Sequence, residues 1–331
     1  MKIEFEAYCD NYLVEWEKRA TVRTKPRTRL TESIKTENMF VFPLKPFAGH
    51  ERFEAVDKQQ IQEFSVRAAC NMFLGVSSFE VDFVTAQCSK LAGAGIGIEL
   101  PDSAKRVAVA IGTDEMYHAF VANECLADIK RFTGIVPVVQ DAGGPADFNA
   151  RKPPLEHFKQ ALGPGNEALA EVTLLCFLEN NFTEELYGIA KGQTAESQMH
   201  TIIREHVMDE GRHMVFFQRL LGHIWASLTE ELRCTLGKSM VDFCDIYLTL
   251  DEQTVMGGYT STLRQLGLSD EDCITIARDT ILKDGLLSKS DMPSIVNPKH
   301  LMKVAGVLEH QPTRDLMLAS GWITDEAAVA A

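Results

Sequence analysis

Two segments of the chain repeat one pattern: Asp114-Glu115-Met116-Tyr117-His118 and Asp209-Glu210-Gly211-Arg212-His213 both read D-E-x-x-H. On a helix, residues three apart differ in direction by about 60°, so each Glu and His project from one face toward a common point. A carboxylate and an imidazole converging in this way make half of a metal site. A single E-x-x-H is short enough to arise by chance. Two copies, each preceded by Asp and with no third elsewhere in the chain, carry far more weight.

A dinuclear carboxylate centre in a four-helix bundle needs one further Glu from each of two other helices. Glu80 follows Phe73 and Ser77 and precedes Phe83 and Val84, which puts it on the apolar face of its segment. Glu179 lies among Val172, Leu175, Phe182 and Leu186. A buried carboxylate without a partner costs several kcal/mol, so both should be neutralised, by a metal ion or a core salt bridge, unless they lie on an outward face. The order Glu80, Glu115/His118, Glu179, Glu210/His213 supplies the full ligand set, and the four carboxylate charges equal those of two ferrous ions. Oxygen and imidazole donors without thiolate suit iron or manganese and argue against a structural zinc site. His206 stands one turn before Glu210 and two before His213, within a stripe of about 60°, so it reaches the same metal or else packs as a core histidine. Asp114 and Asp209 are placed to accept the free ring N–H of a ligand histidine and fix its tautomer, or simply to solvate their helices.

These residues must be held by long helices. Gly and Pro clusters divide the chain into helix-forming stretches from about Lys58 to Leu91, Pro101 to Phe132, Asn166 to Ala190, Ala195 to Leu221 and His223 to Val255, with shorter helices beyond. Asp102 or Ser103 is available to cap the second. The segment from Gly134 to Pro154 reads as a loop, either a simple connection or the border of an entrance. Strand signals are nearly absent. The expected fold is all-α, a ferritin-like four-helix bundle with additional peripheral helices. Its bundle core spans about 58–255 within a single domain over 1–331, and the tail 323–331 is the one candidate for disorder.

The balance of 33 basic against 47 acidic side chains, a net charge of −14, argues against nucleic acid and anionic membrane surfaces as partners. No apolar run approaches the roughly 20 residues a membrane span needs, and the start lacks a signal-peptide core, so a cytoplasmic location is expected. The eight cysteines are scattered without a Cys-x-x-Cys pair and are expected to be reduced and mostly buried.

With Glu80, Glu115, His118, Glu179, His206, Glu210 and His213 taken together, the sequence resembles the p-aminobenzoate N-oxygenase (AurF-like) family of di-iron enzymes. The additional histidine before the second motif distinguishes that family. The stretch from Trp16 to Arg27 and the region from Phe42-Pro43 to His50 share the likeness, which covers about residues 10 to 225. The resemblance implies a homodimeric oxygenase with two iron ions per chain held by those seven residues. It also implies O2 as co-substrate, an external electron donor, and a primary amine taken to the hydroxylamine, in some members on to nitroso or nitro products. In that family an Arg on the first ligand helix helps hold the substrate carboxylate, and its place here is Gly75. An Asn on the third ligand helix is matched by Glu185. The expected substrate is therefore an amine other than free p-aminobenzoate, such as an amino acid or an amine tethered to a carrier protein. A ferritin-like ferroxidase and an acyl desaturase are the alternatives. A ribonucleotide reductase radical subunit would usually carry Tyr one turn after the first-motif His, where this chain has Ala122.

Overall fold

The computed structural model of the chain describes residues 2–35, 39–40, 42–93, 95–136, 148–192, 197–249, 251–283 and 293–324, except for the side chains of 2–3, 148–151, 182–185, 189, 192 and 293–295. Among the described residues there are helices and turns but no strand. The chain opens with α1 (Lys2–Arg19) and the single turns α2 (Thr21–Thr24) and α3 (Glu51–Glu54). The bundle then follows: α4 (Lys58–Phe79), running through a π turn (Glu80–Val84) into α5 (Thr85–Ala92), and α6 (Asp102–Thr133). After α7 (Phe148–Leu162), it is completed by α8 (Glu167–Gly192) and α9 (Gln198–Ser227). The peripheral helices are α10 (Glu230–Tyr247), α11 (Glu252–Arg264), α12 (Asp270–Ile281), α13 (Pro293–Val304) and α14 (Gln311–Ala319). The fold is all-α, as the helix-forming stretches predict, and its long helices form the ferritin-like bundle expected from the two motifs.

Local chemistry sets the helix ends. Asp57, Ser197 and Thr229 accept from the backbone N–H of Gln59, His200 and Leu232 at 2.7, 3.0 and 3.3 Å, capping α4, α9 and α10. Gly134 ends α6 in the left-handed conformation, at φ 73°. The expected cap on α6 is absent: Pro101 occupies the cap position, Asp102 is already helical and pairs with Lys105, and the Ser103 hydroxyl donates to the Glu6 carbonyl.

Three further boundaries differ from the sequence reading. The fourth long helix does not stop at Leu221. Gly222 lies inside the helix, packed against Ala305 just after α13, and α9 continues to Ser227. The next stretch is split, because Thr229 and Asp251 each start a new helix with a side-chain cap. The Gly134 to Pro154 segment is in part helical: α7 begins at Phe148 and includes Pro153 and Pro154. Both prolines lie in the second turn, where each lacks the N–H of a helix hydrogen bond and its ring crowds the carbonyl four residues back, which is why the stretch reads as non-helical in the sequence. Residues 137–147 of that segment lie outside those described, as does most of the 323–331 tail.

Two apolar cores flank one polar layer. Along α4 and α5, Val66 to Val76 belong to one core and Phe79 to Leu91 to the other, with Glu80 at the change-over. The same switch occurs around Asp114 to His118 in α6, after Phe177 in α8 and between Val207 and Phe216 in α9. Every residue singled out for chemistry therefore lies on the seam. One side of it is rich in aromatic rings, including Phe79, Phe83, Phe158, Phe177, Phe216, Phe217 and Phe243. The other is mainly aliphatic, with Val76, Ala122, Leu186, Ile202, Ile203 and Val207.

Candidate metal centre

Glu80 sits at the first position of the π turn, where the Thr85 N–H donates to the Glu80 carbonyl five residues back. Glu80, Phe83 and Val84 of this turn are all buried, and π turns of this kind occur frequently at functional sites. Glu115 and His118 come from α6, Glu179 from the stripe of Val172, Leu175 and Cys176 on α8, and His206, Glu210 and His213 from α9. Of the seven, all but His206 are buried, and the His206 side chain is 13% exposed.

Their donor atoms form two groups, each with atoms no more than 4.8 Å apart: Glu80, His118, His206 and Glu210, and Glu115, Glu179, Glu210 and His213. Glu210 belongs to both. Its Oε1 lies 2.9 Å from His206 Nε2 and 3.2 Å from His118 Nδ1, and its Oε2 lies 3.5 Å from His213 Nδ1. Glu115 likewise faces both ways, with Oε2 3.0 Å from His118 Nδ1 and Oε1 2.9 Å from His213 Nδ1. Glu210, common to both groups, could contribute to a cation in either one.

The aspartates of the two motifs exchange partners. His118 Nε2 donates to Asp209 at 3.1 Å and His213 Nε2 donates to Asp114 at 3.2 Å. Because an ionised carboxylate only accepts, each Nε2 carries a proton, so Nδ1, which faces the glutamates, would supply the lone pair when a cation replaces the proton there. Three further groups fix the aspartates. Trp16 Nε1 donates to both Asp114 oxygens at 3.0 and 2.9 Å, the Thr21 N–H donates to Asp209 at 3.2 Å, and Arg212 pairs with Asp209 and lies 3.7 Å from Asp114. Sequence reasoning assigned none of these three a role. The available signals were the Trp16 to Arg27 stretch of the resemblance and the one cationic x position in the two motifs.

The electrostatics are those of a cavity arranged for cations. Burial, then the neighbouring glutamates, pushes Glu80 and Glu179 well above the usual carboxylate range. Burial opposes ionisation of Glu210 as well, yet His213 and the hydrogen bonds of His118 and His206 hold it well below. His118 and His213 are raised against burial by the facing carboxylates, while burial and the His118 charge lower His206, whose ring stacks on His118 at 4.0 Å. Both Glu80 carboxylate oxygens are buried without a hydrogen-bond partner among the described residues. A divalent cation in place of the shared protons would satisfy them, so the residues fit a di-metal group.

A cavity opens onto this site from the aliphatic side. It has about 530 Å³ of empty space, part of it continuous with solvent, and His118 and His206 form one wall. Phe73, Val76, Val121, Ala122, Leu186 and Ile202 line much of the rest, and Tyr117, Thr21 and Glu205 supply polarity. Glu205 is already paired with Lys25 at 2.9 Å. Neither Arg nor Lys appears among the described lining residues. Gly75 is buried in α4, and the Glu185 side chain lies outside those described.

No match was found among curated proteins. The profile of the P-aminobenzoate N-oxygenase AurF family matches residues 14–255, reaching past the region where the residues alone suggest the likeness. That span holds all seven converging donors, both aspartates, Trp16 and the whole four-helix bundle. The chain therefore belongs to the AurF family of di-iron N-oxygenases.

Proposed function

We propose that the protein oxidises a primary amine to the hydroxylamine at two iron ions held by Glu80, Glu115, His118, Glu179, His206, Glu210 and His213. The balance is one amine, one O2, two electrons and two protons giving one hydroxylamine and one water. The electrons come from an external donor. Bound iron would supply the electron transfer and Lewis acidity that O2 activation needs. The protein's part is to hold and insulate. Asp114 and Asp209 keep the imidazole protons on Nε2, the aromatic core closes one side of the site, and the aliphatic cavity orients an amine against His118 and His206.

The observation that carries this reading is the cavity's position on the His118 and His206 side of a centre whose donors fit two cations. Its apolar walls without a lining Arg or Lys support a substrate other than free p-aminobenzoate, since a buried carboxylate needs a cationic or multiply hydrogen-bonding anchor. An amino acid or amine presented on a carrier protein meets that condition, the carrier keeping the polar end outside. Conversion beyond the hydroxylamine to nitroso or nitro products uses the same site. No described helix is long and apolar enough to cross a membrane, and we place the enzyme in the cytoplasm. A homodimer is supported by Val109, Met116 and Phe120, exposed at helical spacing along α6.

The test is mass spectrometry of candidate amines after turnover of the iron-loaded protein with 18O2 and a reductant. The expected result is one 18O on the nitrogen of an apolar or tethered amine and little product from free p-aminobenzoate. Efficient oxidation of free p-aminobenzoate overturns the substrate reading, and oxygen on carbon overturns the reaction.

A further inference from the structure

A second group of metal-ligating side chains lies outside the bundle, where the first turns of α10 meet the start of α14. Of the eight cysteines seven are buried, and the exposed one is Cys234. Glu230, Cys234 and Gly237 share one face of α10, spaced four and three residues apart. That face meets His310, the residue that precedes α14. His310 Nε2 lies 2.9 Å from Glu230 Oε1 and 3.9 Å from Cys234 Sγ, and one donor atom from each of the three falls within 4.8 Å of the others.

The imidazole is held from its other side. Nδ1 makes a hydrogen bond of 2.8 Å to the hydroxyl of Thr313, and the ring meets Trp225 edge-on at 5.5 Å between centroids. Thr313 is buried, and it fits only because residue 237 is glycine: a Cβ there would come within 2.0 Å of the Thr313 hydroxyl oxygen and 3.1 Å of its Cβ. A histidine fixed through Nδ1 with Nε2 aimed at a carboxylate and a thiol is the arrangement that metal-ligating histidines adopt. A plain ion pair between Glu230 and His310 would need neither the thiol nor the cradle.

We propose that Glu230, Cys234 and His310 bind a zinc ion, with water in the fourth position. The mixed sulfur, nitrogen and oxygen set favours zinc over the hard cations magnesium and calcium. Tetrahedral zinc with bonds of about 2.3 Å to sulfur and about 2.0 Å to nitrogen separates those two atoms by about 3.5 Å, so a small turn of the Cys234 side chain closes the site. The site is chemically distinct from the bundle centre, whose donor groups contain no sulfur. Its ion links the last helix to α10 and fastens the C-terminal region to the outside of the bundle.

Cobalt is the discriminating probe, because a thiolate ligand gives a near-ultraviolet sulfur-to-cobalt absorption that the carboxylate and imidazole ligands of the bundle cannot. Cobalt is titrated into the iron-loaded full-length protein. The expected result is a thiolate band that saturates at about one cobalt per chain, disappears when zinc is added, and is lost in Cys234→Ser and His310→Ala with iron content unchanged. Cys234 is exposed, so Cys234→Ser leaves packing intact. Absence of the band at stoichiometric cobalt overturns the proposal, and so does a band of equal intensity in Cys234→Ser.

Discussion

The two apolar cores on either side of the metal-binding layer differ in a way that explains the chemistry. The aromatic core is built of rings in contact, from Phe158 to Phe177 and Phe243 and from Phe216 to Phe217. The aliphatic core is contributed by the same bundle helices, but contains the cavity against His118 and His206. One side of the layer is thus packed with aromatic rings, and the other holds the cavity that we propose receives the substrate. The donor groups follow the same asymmetry. The group on the cavity side carries two imidazoles, His118 and His206, while the other carries one, His213, and an additional carboxylate.

Loss of Glu210, the residue common to both donor groups, should do the most damage. Glu210→Ala should reduce iron from about two per chain to less than one and abolish amine oxidation, measured by iron analysis and product mass spectrometry. His206→Ala separates the two sides. It removes a neutral donor at the cavity wall, so the fold and part of the iron should remain while O2-dependent turnover collapses. Unchanged turnover would make His206 a packing residue and remove the asymmetry.

The same substitution placed in each core sharpens the comparison. Ala108→Leu in the aromatic core should lower stability by about 1–3 kcal/mol, read as a drop in Tm, through overpacking. Ala122→Leu fills the cavity instead, so it should raise KM for the amine with little change in Tm or iron content. Equal losses of Tm would mean that both cores are closed.

Asp209→Asn and Asp114→Asn test the exchange of partners between motifs. Each should weaken metal binding about 10–100-fold, the first on the side of His118 and the second on the side of His213. The smallest effect is expected for Trp16→Phe, which removes only one donor to Asp114 while Arg212 and His213 remain near it. A modest loss of iron affinity with an unchanged fold is the predicted result.

What could be read in the sequence was what helical geometry repeats. The spacing of Glu115 and His118, of Glu210 and His213, and of His206 before them is fixed by the helix itself, and Glu80 and Glu179 betrayed themselves as acids on apolar faces. The exchange between Asp114 and Asp209 was not legible, because it depends on how α6 and α9 face each other. Trp16 reaches the site only because α1 packs on α6 and α9. Gly222 looked like a helix end, yet α9 runs through it to Ser227. The cavity draws on five separate segments, so no local pattern announces it.

Two unlike groups of donors share Glu210, and we propose that each holds one iron. Anomalous diffraction at the iron edge from crystals of the iron-loaded protein tests it most directly. Two peaks are predicted inside the bundle, one among Glu80, His118, His206 and Glu210 and the other among Glu115, Glu179, Glu210 and His213. A single peak there, or iron only outside these seven residues, would contradict the account.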